Sequence, residues 1–214
     1  LNLGNILKDI GNLKEAELST RKAIKLNPNF ADGHLNLGNI LKDIGNLKEA
    51  ELSIRKAIEL KPESAEAHSN LANILQNTGK LKEAELSVRK AIELKPNFAE
   101  AHSNLGNIFS DLGKFKQAEN QWIQALNLEP NLKSAVEPLA RRLYLDRKYD
   151  LAIKYLQGSK SENCQSLHLS CLLCLDKEKE FNQKYHELSE KGICNADMSG
   201  IIEHANIIYG TRKD

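Results

Sequence analysis

The chain has 214 residues, with 30 Lys and Arg set against 29 Asp and Glu for a formal net charge of +1. That balance argues against a polybasic nucleic-acid binder and against an acidic tail, and no apolar run approaches the roughly 20 residues that span a bilayer. Neither nucleic acid nor membrane is expected as a partner.

The chain opens at Leu1 without a methionine, without a signal peptide and part-way through a repeated unit, so an excised fragment is expected. "NLGNI" stands at residues 2–6, 36–40 and 104–108, with "NLANI" at 70–74. Asn2, Asn36, Asn70 and Asn104 are each 34 residues apart, as are Pro28, Pro62, Pro96 and Pro130. A period of this length signals a repeat array. "LNLGNILKDIGNLKEAELS" occurs at both 1–19 and 35–53, which points to duplication.

A truncated unit covers 1–30, and full units cover 31–64, 65–98 and 99–132. In the second of these four, Leu37, Ile40, Leu41 and Ile44 recur at helical spacing up to Gly45, and Leu47, Ala50, Ile54, Ala57, Ile58 and Leu60 recur from there to Pro62. Each unit is thus an all-α helical hairpin, stopped at its turn by glycine and at its end by proline. Gly38, Ala50 and Ala57 are small enough to let helix axes approach to about 8 to 10 Å. Glu17 with Arg21, Glu51 with Arg55 and Glu85 with Arg89 are spaced by four and read as pairs on a solvated face.

The period, the leucine-small pairs (Leu37 and Gly38, Leu71 and Ala72, Leu105 and Gly106), the alanines Ala50, Ala84, Ala118, Ala57, Ala91 and Ala125 and the closing prolines resemble the tetratricopeptide repeat. Leucine replaces the family's usual tyrosine at Leu7, Leu41 and Leu75. Thr20, Ile54 and Val88 stand where an aromatic is common, and Trp122 restores it. The resemblance implies a right-handed superhelix, or α-solenoid, whose first helices line a concave groove, with peptide or protein binding as its general biochemistry.

Along each first helix, positions separated by four, three and four residues share one face. That stripe reads Asp32, Asn36, Asn39, Asp43, then Glu66, Asn70, Asn73, Asn77, then Glu100, Asn104, Asn107, Asp111, with Asn2 and Asn5 in the truncated unit. The asparagines form two ladders. A carboxamide offers donors and an acceptor, so it can clamp the backbone of an extended peptide whatever that peptide's side chains. The alternative is that the same amides bond to neighbouring helices. The ladders are similar to the asparagine-lined repeat arm of O-linked N-acetylglucosamine transferases. Tetratricopeptide domains that hold the C-terminal carboxylate of heat-shock chaperones carry lysine or arginine on this face, where Leu35, Ser69, Ser103, Asp32, Glu66 and Glu100 stand here, so a carboxylate clamp is not expected. A neutral or basic extended segment is the expected ligand.

Residues 133–214 are expected to continue the array as degenerate repeats ending in a capping helix. Leu139, Ala140, Leu143 and Ala152 keep the repeat spacing, but Pro138 and Arg141 occupy the ladder positions. Pro138 is placed near a helix start, and Arg141 is expected to pair with an acid of the preceding unit, with binding of a ligand carboxylate as the alternative. A hairpin follows over 161–192, with Leu167 to Leu175 as a buried helix and Phe181, Tyr185 and Leu188 facing it. Met198, Ile201, Ile202, Ala205, Ile208 and Tyr209 form the apolar side of the cap.

His34, His68 and His102 recur at one packing position, roughly 10 Å apart, too far to share a metal. Cys164, His168 and Cys171 share a helical face, and Cys171 with Cys174 gives C-x-x-C. Zinc motifs place such pairs in turns with a distant second pair, so these cysteines read as small core residues; no metal and no cofactor are expected. Free cysteines also favour a reducing, cytoplasmic setting. No nucleophile elbow, phosphate loop or metal-carboxylate set is present. A non-enzymatic interaction scaffold is expected. The other class is the recruiting arm of a larger enzyme of glycosyltransferase or iron and 2-oxoglutarate dioxygenase type, whose catalytic domain would lie outside this chain. Self-association through the N-terminal helix is a further expectation.

Overall fold

The structure, a computed structural model, describes residues 12–193 and 196–210. These residues form twelve helices and no strand: α1 (Leu13–Leu26), α2 (Ala31–Ile44), α3 (Leu47–Leu60), α4 (Ala65–Asn77), α5 (Leu81–Leu94), α6 (Ala99–Asp111), α7 (Phe115–Leu128), α8 (Lys133–Leu145), α9 (Tyr149–Leu156), α10 (Glu162–Cys174), α11 (Glu178–Glu190) and α12 (Ala196–Gly210). The fold is all-α.

Local chemistry sets the boundaries. Asn12 and Asn46 open α1 and α3 by accepting the backbone N–H of Glu15 and Glu49, each at 3.4 Å, and Ser64 opens α4 through the N–H of Ala67 at 3.2 Å. Gly45 closes α2 at φ 91°, in the left-handed region where a Cβ is penalised. Gly79 and Gly113 repeat that conformation at φ 76° and 72°. Thirty-four residues after Gly113 the same turn is made by Arg147, at φ 59°.

Packing inside a hairpin depends on one small residue of the first helix. A Cβ on Gly38 would stand 2.4 Å from Cδ1 of Ile54, and one on Gly106 would stand 2.5 Å from the Trp122 indole. At the same register Ala72 and Val88 are both fully buried. The larger first-helix residue thus goes with the smaller second-helix residue, conserving volume at the contact.

Two compact units are present, Leu1–Leu128 and Glu129–Asp214. In the first, α2, α4 and α6 touch one another in succession, while α1, α3 and α5 each pack on the first helix that follows. First helices therefore share an inner face and second helices an outer one. The charge pairs of the outer face reach further than their spacing of four suggests. Arg21 also bonds to Glu49, Arg55 reaches Glu83 at 3.0 Å, and Lys80 and Lys114 reach Glu51 and Glu85 at 2.9 and 3.3 Å. Each bridge joins one repeat to the next. Burial, which opposes ionisation, is outweighed at Glu51 by Lys80 and Arg55, so its carboxyl lies below the usual range; Glu85 behaves likewise with Arg89 and Lys114.

In the second unit α8 and α9 form a hairpin, as do α10 and α11. Pro138 is the sixth residue of α8, inside the helix rather than near its start. Its ring removes the N–H that would have donated to the Ser134 carbonyl. Leu169, Leu172, Phe181, Leu188, Met198, Ala205 and Tyr209 make one core, with the Phe181 and Tyr209 rings edge to face at a centroid distance of 6.0 Å. The α12 side chains in that core lie against α10, the place expected of a capping helix.

Candidate functional site

The stripe on α2, α4 and α6 comes from the period of the helix, and its residues divide by depth. Asn36, Asn39, Asn70, Asn73, Asn104 and Asn107 are half-buried, whereas Asp32, Asp43, Glu66, Asn77, Glu100 and Asp111 are exposed. Asn2 and Asn5, with the N-terminal helix expected to self-associate, lie outside the described residues.

The amides are not isolated. Asn70 Nδ2 donates to Asn39 Oδ1 of the preceding repeat at 2.9 Å. Asn104, which the register would bring toward Asn73, donates instead to Ser69 Oγ at 2.9 Å. Asn73 is left without a side-chain partner among the described residues. Trp122 Nε1 donates to Asn107 Oδ1 at 2.9 Å, tying the second helix of the last unit to its ladder residue. Among the acids, Asp111 accepts from Gln76 Nε2 at 2.6 Å, and Asp32 lies 3.8 Å from Lys61 Nζ.

These bonds do not exhaust the amides. A carboxamide carries two donors and two lone pairs. Asn70 and Asn104 each commit one N–H, leaving the other N–H and the oxygen. Asn39 and Asn107 commit one lone pair each, leaving both donors. The inter-repeat bonds thus fix how the amides are turned, and a half-buried position keeps their remaining groups at the surface.

The other polar candidates have structural partners. His34, His68 and His102 place Nε2 2.9 Å from the carbonyl oxygens of Pro28, Pro62 and Pro96, fastening each first helix to the turn before it. Arg141 pairs with Glu137 of its own helix at 3.3 Å, not with an acid of the preceding unit, because a spacing of four brings them together on one face. Cys164 and Cys171 are buried as expected, but Cys174 is exposed. Its Sγ lies 3.8 Å from the Tyr144 hydroxyl. Burial pushes the Cys171 thiol up to about 12, with Cys174 adding to the effect, which suppresses the thiolate that metals and electrophiles need. Burial together with the Cys174 contact pushes Tyr144 up to about 12 as well. Among the described residues no helix is long and apolar enough to cross a membrane.

Models of the TPR repeat match residues 4–45 and 38–79, and models of the tetratricopeptide repeat match 65–98 and 99–132. Together they run from 4 to 132. The chain belongs to the tetratricopeptide repeat family. Repeats of this family generally mediate protein–protein interaction and are typically non-enzymatic.

Solved structures with the same tetratricopeptide fold include PilF of Pseudomonas aeruginosa, at 22% identity, covering 95% of each chain with a TM-score of 0.78. PilW, described as a widely conserved type IV pilus biogenesis factor, is 20% identical over 94% of this chain and 96% of its own, also at 0.78. MamA is 22% identical over 84% of this chain and 98% of its own, at 0.62. At these identities the likeness is one of fold. Among curated proteins none matches the chain.

Proposed function

We propose that the inner face of residues 31–132 holds an extended polypeptide by its backbone, in the manner of the asparagine-lined repeat arm of O-linked N-acetylglucosamine transferases. What supports this most directly is the pairing of Asn70 with Asn39 and of Asn104 with Ser69. Amides oriented before a ligand arrives need not be ordered on binding, which lowers the cost of association. Rungs on the order of 10 Å apart meet a strand advancing about 3.3 Å per residue at every third ligand residue. Side chains between the rungs go unread, so the groove tolerates many sequences.

Charge narrows the ligand class. Asp32, Glu66 and Glu100 are exposed at one end of the stripe and Asp43 and Asp111 at the other, which favours a neutral or basic segment over an acidic tail. The same face would serve a free-standing scaffold or the recruiting arm of a larger enzyme. The test is fluorescence anisotropy of unstructured peptides of equal length, one neutral, one lysine-rich and one glutamate-rich, titrated with the whole chain. Micromolar or weaker binding of the first two is expected, since each hydrogen bond contributes a net of about 0.5 to 1.5 kcal/mol. Preference for the glutamate-rich peptide would overturn the charge assignment.

A further inference from the structure

His34, His68 and His102 share one bond and differ in another. All three place Nε2 2.9 Å from a proline carbonyl oxygen, and because that oxygen can only accept, Nε2 carries the proton. In the neutral ring Nδ1 is then a lone pair that needs a donor. In the fourth unit the hairpin supplies one: Nδ1 of His102 lies 2.9 Å from the carboxamide of Gln121, a group that can turn its N–H to the ring.

Two periods earlier the place of Gln121 is taken by Ser53, whose side chain is far shorter. Neither Nδ1 of His34 nor the Ser53 hydroxyl has a partner among the described residues, although Ser53 is only 8% exposed. Both line a recess of about 450 Å³ bounded by α1, α2 and α3, with Ile24, Leu37 and Leu52 as its apolar walls. Of its cations, Arg21 is paired with Glu49 and Lys56 with Glu59. Lys25 is exposed and has no partner among the described residues.

We propose that this recess is a second binding site, independent of the inner groove, and that it takes the carboxamide of a glutamine in a partner polypeptide. Nδ1 of His34 calls for a donor, whereas the Ser53 hydroxyl and Lys25 Nζ can both serve an acceptor. A primary carboxamide carries the two on one carbon. A carboxylate would bring only acceptors to a ring nitrogen that is itself an acceptor, and an ammonium or guanidinium would bring only donors, with a charge set against Lys25. A purely apolar side chain would cover His34 and Ser53 without bonding to either. Ile24, Leu37 and Leu52 receive the methylene stem. The fourth unit makes the same contact with its own Gln121, so the ligand completes in the second unit what the chain completes for itself there. In the third unit His68 and Ser87 repeat the pair, but Glu59 stands where Lys25 stands here, and the amide oxygen loses a donor.

The experiment uses the whole chain and three short labelled peptides that differ at one residue between two leucines: glutamine, glutamate or methionine. Anisotropy measures binding, and the ¹⁵N resonance of His34 Nδ1 reports occupation of this recess alone, so capture in the inner groove does not register. The glutamine peptide is expected to bind about tenfold more tightly than the other two and to move the His34 resonance. Ser53→Gln should fill the recess with the chain's own amide, abolishing that movement and raising the melting temperature. Ser53→Ala, which keeps the space but removes the hydroxyl, should weaken glutamine binding with the fold unchanged. Tighter binding of the glutamate peptide would overturn the proposal in favour of an anion site. Equal effects of all three peptides, or undiminished binding to Ser53→Gln, would also overturn it. A His34 resonance that stays fixed throughout would leave the recess to water and contradict the proposal outright.

Discussion

Trp122 lies so close to Gly106 that a single added carbon would meet the indole Cδ1 and Nε1 at 2.5 Å. Trp122 is 2% exposed and its Nε1 is committed to Asn107, so the ring cannot retreat without losing a bond. Gly106→Ala should therefore destabilise the chain by about 1 to 3 kcal/mol despite alanine's better helix propensity. Gly200→Ala, in α12 where nothing lies within 4 Å of the new carbon, should stabilise by up to about 1 kcal/mol. Thermal unfolding of both variants checks the contrast. The same sign for both would refute it.

Arg147 makes a glycine turn without being glycine. At φ 59° its Cβ crowds the following carbonyl, at a cost of about 1 kcal/mol. Arg147→Gly should raise stability by about 0.5 to 1 kcal/mol, the gain being trimmed by glycine's greater freedom when unfolded. Gly79→Arg should lower it comparably. Urea titrations with unchanged slope and shifted midpoints would report both.

His168 gives the chain an acid-sensitive point. Burial, with Lys184 adding to it and Glu187 opposing it, holds the ring near 4 against an ordinary 6.5. The folded state therefore binds the proton less readily than the unfolded state. Its contribution is present above pH 6.5 and is lost as the pH falls toward 4. Between pH 7 and 5 full burial would cost about 2 kcal/mol by linkage; the ring is only partly buried, so about 1 kcal/mol is expected. Glu51, Glu85 and Glu187 are lowered from 4.5, so their contributions are lost below that value and leave the window between 6.5 and 4.5 to the histidine. His168→Gln should flatten the stability profile there, and an NMR titration should find the wild-type ring midpoint below 5. A midpoint near 6.5 would contradict the shift.

The hairpins were legible because their signals are local and repeated. Leu37, Ile40 and Leu41 mark a helix face, Gly45 marks its end, and duplication shows both again at Leu71 and Gly79. The core of the second unit was readable from Phe181, Leu188 and Met198 for the same reason. Lateral register was not. A period of 34 says that Asn70 follows Asn36, but not that its amide lies against Asn39, nor that Arg55 reaches Glu83. Such contacts depend on how one hairpin is rotated on the next. Cys174 was misplaced because "LHLSCLLCL" is apolar on every side and presents no outward face. Arg147 could have been found by adding one period to Gly113.

If the ladder amides grip ligand backbone, binding and stability should separate between Asn73 and its neighbours. Asn73 has no side-chain partner among the described residues, whereas Asn70 and Asn104 each bridge repeats at 2.9 Å. Anisotropy with the neutral extended peptide and thermal unfolding are measured together on wild type, Asn73→Ala and Asn70→Ala with Asn104→Ala. Asn73→Ala should weaken binding by about 1 kcal/mol with the melting temperature unchanged or slightly raised. The double exchange should weaken binding about tenfold or more and also lower the melting temperature, since it removes two inter-repeat bonds. Unchanged binding in both variants, with lost stability in the double exchange alone, would show that the asparagines serve the scaffold and not a ligand.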